Sequence, residues 1–111
     1  TTAMDLPENE WLALATQLAE QGDHRLALRA VHLSILAWLG ENRLISLAHH
    51  KCNLDYRREL IRHLAGDQWV LTRYNTATLV YESVWYGTEP ATDLHLDELI
   101  KQRNEMVTYE S

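Results

Sequence analysis

Apolar residues recur along this chain with the three-to-four-residue spacing of helices that pack on one side. Trp11, Leu14, Ala15, Leu18 and Ala19 fall at i, i+3, i+4, i+7 and i+8, which is one face of a helix. Asp5, Pro7 and Glu8 read as its start: an acid that accepts backbone N–H bonds, Pro just inside, and a carboxylate near the positive end of the macrodipole. Gly22 ends it, because Gly tolerates the left-handed conformation of a helix exit. Asp23 then caps a second helix running to about Glu41. That helix is apolar almost all round, from Leu26 through Leu39, with Arg25, Arg29 and His32 as one thin polar stripe. It is therefore expected at the centre.

Between Asn42 and Cys52 the period is lost, and an ordered connector is expected there. A third helix, Asn53 to about Ala65, turns Tyr56, Leu60, Ile61 and Leu64 inward and Arg57, Arg58, Arg62 and His63 outward. Gly66 and Asp67 repeat the stop-and-start of Gly22 and Asp23. A fourth helix, about Gln68 to Tyr86, carries Val70, Tyr74, Ala77, Tyr81, Val84 and Trp85 on one face, and Gly87 stops it. Past Pro90, Thr92 or Asp93 caps a last helix with Leu96, Leu99, Ile100, Met106 and Val107 along one side. The pattern predicts an all-α, five-helix bundle of antiparallel helical hairpins. No Gly, Ser or Pro linker divides it, so residues 1–111 read as a single domain, frayed at 1–5 and 108–111.

Composition narrows the function. Ten Lys and Arg against sixteen Asp and Glu give a formal charge of −6, so no global field attracts phosphate backbones, and nucleic acid is not an expected partner. The one cysteine, Cys52, forms no internal disulfide and favours a reducing compartment. No apolar run reaches the length of a membrane span, and no signal-peptide pattern is present. The chain opens Thr-Thr-Ala-Met-Asp, which suggests a piece of something longer.

Three groups of residues invite chemistry. His49, His50 and Cys52 carry imidazole and thiolate, good zinc ligands. Neighbouring His side chains diverge, however, and no fourth ligand stands at motif spacing, so a polar loop is the expectation and no metal or cofactor is assigned. Cys52 has no activating motif, and no Ser-His-Asp order or phosphate-cradling Gly loop occurs, so no catalytic residue is assigned. Arg57, Arg58 and Arg62 form a basic face, read as a solvated helix surface that is also suited to anionic lipid or phosphate. Trp85 is expected inside and Tyr86 at the edge, where with Gly87 it can offer an aromatic contact. Asp23 and Arg25 are expected to form a cap and an ion pair.

The segment Leu18-Ala19-Glu20-Gln21-Gly22-Asp23-His24-Arg25-Leu26-Ala27-Leu28-Arg29 is similar to the tight hairpin of a tetratricopeptide repeat, although no second copy follows at about 34 residues. A resemblance covering more of the chain rests on Gly22-Asp23-His24-Arg25, on Asn53-Leu54-Asp55-Tyr56-Arg57-Arg58-Glu59-Leu60 and on Tyr81-Glu82-Ser83-Val84-Trp85-Tyr86-Gly87. In order and spacing these segments resemble the bacterial DUF4129 family, from about Leu12 to Leu99. His24, Cys52, Asp55 and Tyr81 depart from the Tyr, Thr, Glu and Phe usual there. The resemblance implies a soluble domain behind a transmembrane helix, on the cytoplasmic face of the bacterial inner membrane, tethered by a segment before Thr1. A transglutaminase-like enzyme accompanies the domain in some relatives, and MoxR-type ATPases are encoded nearby.

The function expected from residues and resemblance together is a non-catalytic helical interaction or regulatory module. Its partner would be the rest of its own membrane-embedded chain or a MoxR-type ATPase, with Tyr86, Gly87, Arg57, Arg58 and Arg62 as the contact residues. The alternative is a small-ligand- or metal-binding domain, or an enzyme, built on His49, His50 and Cys52.

Overall fold

The computed structural model describes residues 2–64 and 68–108. It is all-α: α1 spans Glu8–Glu20, α2 His24–Glu41, α3 Asn53–Leu64, α4 Trp69–Trp85 and α5 Asp93–Thr108, and no strand occurs among the described residues. A short 3-10 turn, Ala3–Asp5, precedes them. Ala65 and the expected Gly66–Asp67 turn lie outside the described residues, as do Thr1 and residues 109–111.

α2 is the centre, as its nearly continuous apolar surface demands: Ala27, Leu28, Ala30 and every residue from Val31 to Ala37 are buried, together with Leu39. α1 packs along it, and α4 and α5 cover its other sides while packing on each other. α3 rests on α4. Although α2 and α3 are neighbours in sequence, their backbones make no close approach. The reason is the connector, which crosses the molecule between them. Ile45 is buried, Ser46 N–H donates to Glu59 Oε1 at 2.8 Å, and the Tyr56 hydroxyl donates to the Ala48 carbonyl at 3.1 Å.

Local chemistry sets the helix ends. At the end of α1, Gly22 has φ +83°, its N–H donates to Ala19 O, and Asp23 N–H donates to Leu18 O. This pair of bonds is the Schellman exit. α2 ends in the same way at Arg43, φ +60°, whose N–H donates to Gly40 O while Leu44 N–H donates to Leu39 O. Asp23 caps α2 by accepting from Leu26 N–H at 3.1 Å.

Several expectations change. Asp5 does not open α1: it accepts from Thr2 N–H at 2.9 Å, and Pro7 is the residue that leads into the helix. Ala3 is buried, and its carbonyl accepts from Trp11 Nε1 at 3.3 Å. Ile61 points outward, 46% exposed, and Glu59 takes an inward position. Glu59 can be buried because Lys51 Nζ lies 2.7 Å from its Oε2 and Ser46 donates to its other oxygen. These two contacts hold its carboxyl below the usual carboxylate range against the opposing effect of burial.

Candidate functional site

The thin polar stripe of α2 faces the aromatic residues of α4. His32 stacks on Tyr81, with ring centroids 4.0 Å apart and planes 4° from parallel, and Tyr81 stacks in turn on Trp85 at 5.7 Å. The guanidinium groups of Arg25 and Arg29 sit 4.3 Å and 4.8 Å from the Trp85 ring centroid, so cation–π attraction closes the ladder. Arg29 also donates to the Tyr81 hydroxyl at 2.8 Å, and Arg25 to the Trp85 carbonyl at 3.0 Å. That second bond satisfies a carbonyl left open at the end of α4. Arg25 is thus engaged with Trp85, and the expected ion pair with Asp23 is replaced by this contact.

Asn53, the first residue of α3, ties three helices together. Its Nδ2 donates to Glu82 Oε2 at 3.0 Å, its Oδ1 lies 3.2 Å from His32 Nε2, and its carbonyl accepts from the Tyr74 hydroxyl at 3.0 Å. Because the carboxylate of Glu82 accepts and the amide nitrogen must face it, the amide oxygen faces His32. His32 therefore carries its proton on Nε2, which leaves Nδ1 a bare acceptor. That Nδ1 is buried and has no partner among the described residues. Burial, reinforced by the charge of Arg29, lowers the His32 pKa to about 4 despite the bond to Asn53. The ring is neutral at physiological pH. Burial also pushes the Tyr81 phenol up to about 12, against the opposing influence of Arg29, so it stays a hydroxyl.

Beside the ladder opens a cleft of about 310 Å³, lined among others by Arg29, His32, His49, Cys52, Glu82 and Tyr86. The histidine–cysteine group is divided by it. His49 and Cys52 line this cleft, whereas His50 lies with Arg58 and Arg62 in a separate shallow depression. Arg57 is on a third surface, the groove between α3 and α4, where its Nε donates to Asn75 Oδ1 at 3.1 Å. Among the described residues, no three His, Cys, Asp or Glu side chains gather in a way that could hold a metal.

Tyr86 is 74% exposed at the rim of the cleft, and Trp85 is half-buried. Gly87 has a backbone reason to be glycine. A Cβ there would lie 2.1 Å from the Ser83 carbonyl oxygen, so no other residue fits without unwinding the end of α4. Sequence reasoning missed Asn53, Tyr81 and Glu82 as parts of the site. The signal available was the matching of two stripes: Arg25, Arg29 and His32 at helical spacing on one element, and Tyr81 and Trp85 four apart on another.

Against this geometry, no protein-family model, curated protein or solved structure matches the chain.

Proposed function

We propose that the domain is a non-catalytic helical interaction module of the DUF4129 type, the cytoplasmic part of a membrane-anchored bacterial protein. It acts by surface recognition, with a partner in its own membrane-embedded chain or in a MoxR-type ATPase. The observation that carries this reading is the state of the cleft. Its charged groups are spent on neighbours, Arg29 on Tyr81, Lys51 on Glu59 and Glu82 on Asn53, while the Tyr86 ring at its edge is left open to solvent. A catalytic centre needs a poised acid, base or nucleophile, and neutral, stacked His32 is none of these. Exposed Tyr beside a rigid scaffold supplies contact area at low entropic cost.

None of the helices among the described residues is long and apolar enough to cross a membrane; the resemblance puts the anchor of this reading before Thr1. A photoreactive amino acid at position 86, introduced into the full-length protein in its own cell, is expected to give adducts of discrete mass. The same group at Ala13, exposed on α1, is expected to give none. Equal labelling at both positions, or none at position 86, overturns the reading.

The buried acceptor of His32 favours one other reading, a small ligand with a hydrogen-bond donor held in the cleft. Fragment-sized alcohols or amides that raise the melting temperature of the wild type and leave a His49→Ala variant unchanged would promote it.

A further inference from the structure

Four of the eight large hydrophobic side chains exposed among the described residues are Leu54 and Ile61 on α3, Leu79 on α4 and Tyr86 just past its end. Each pair is seven residues apart, two helical turns or about 10 Å. The helices run in opposite directions there, since Asn53 reaches Glu82 while Arg57 reaches Asn75. Between them lies a groove of about 420 Å³ whose walls include Leu54, Arg57, Tyr74 and Leu79. Arg57 lines this groove, and Arg58 and Arg62 are exposed beside it on α3, in the depression they share with His50. In a chain of net charge −6, with carboxylates in excess, none of these three arginines has a carboxylate within ion-pair distance among the described residues.

We propose that this α3–α4 face docks an acidic amphipathic helix of a partner protein, its apolar residues seven apart lying along the groove between Leu54 and Leu79 and its carboxylates meeting Arg57, Arg58 and Arg62. Apolar stripes at helical spacing select a helix laid in a groove, and exposed cations beside them select its charge. A second copy is a poor occupant through the same face, because two-fold pairing would bring the three arginines of each copy together. The outer surface of α1 offers no large apolar residue, only Asn9, Glu10, Ala13, Thr16, Gln17 and Glu20.

The inference rests on the interaction-module reading and is tested apart from it. The probe is a synthetic fluorescent helical peptide with Leu at heptad spacing flanked by Glu, compared with the same peptide carrying Lys for Glu, by fluorescence anisotropy. The Glu peptide is expected to bind and the Lys peptide to fail, with binding about tenfold weaker in ~0.5 M than in ~0.05 M salt. R57E/R58E is expected to reverse the preference, and Leu54→Ser to weaken both. All three positions are exposed, and unchanged melting curves verify the fold of the variants. Absence of Glu-peptide binding, binding indifferent to R57E/R58E, or concentration-dependent dimers abolished by Leu54→Ser would each overturn the proposal. Adducts from position 86 without peptide binding would retain the module and discard this occupant; loss of both would discard the module as well.

Discussion

Two residues with positive φ do the same backbone work under different strain. Gly22 meets nothing within 4 Å of an added Cβ, so Gly22→Ala carries only the left-handed penalty and should cost about 1 kcal/mol. Arg43 already bears that penalty, and Arg43→Gly should stabilise by up to about 1 kcal/mol once the extra freedom of Gly in the unfolded chain is subtracted. Thermal melts of the two variants should shift in opposite directions. His32 makes stability depend on pH. It titrates near 6.5 unfolded and about 4 folded, so between these values the unfolded chain binds more protons. Stability is therefore whole above pH 6.5 and declines as pH falls, by roughly 3 kcal/mol at the low end. Urea midpoints at neutral pH and near pH 4.5 should separate more for wild type than for His32→Gln.

At the scale of elements, the start of α3 is half built. Cys52 N–H donates to Asp55 Oδ2 at 2.9 Å, and that bond holds the Asp55 pKa below its ordinary value. The reciprocal bond of a capping box, in which the N–H of residue 55 donates to a side-chain oxygen at position 52, is what Cys makes poorly. Cys52→Thr should supply it and gain up to about 1 kcal/mol in chemical denaturation. The spacing of apolar residues made α3 itself legible, but not its orientation. Ile61 lies outward instead of in its expected inward place, and Glu59 is buried because Lys51 and Ser46, both on the connector, reached the carboxylate. No periodicity within α3 records a partner outside it.

For the whole molecule, α5 closes the bundle by packing on both α2 and α4. Leu99 is fully buried and Leu94 is 79% exposed on the same helix. Leu99→Ala should cost about 3 kcal/mol, through lost transfer energy and the cavity left behind, and Leu94→Ala less than about 0.5 kcal/mol. Equilibrium unfolding of the two variants distinguishes a packed α5 from a loosely attached one. The all-α class, the helix order and the central place of α2 were written in the chain, because each follows from spacing, caps and turn residues within one short stretch. The ladder of His32, Tyr81 and Trp85 and the meeting of Asn53 with Glu82 arose only from packing. Their partners are tens of residues apart, and burial, which turned a surface histidine pattern into a neutral stacked ring, belongs to the assembled bundle and to no single segment.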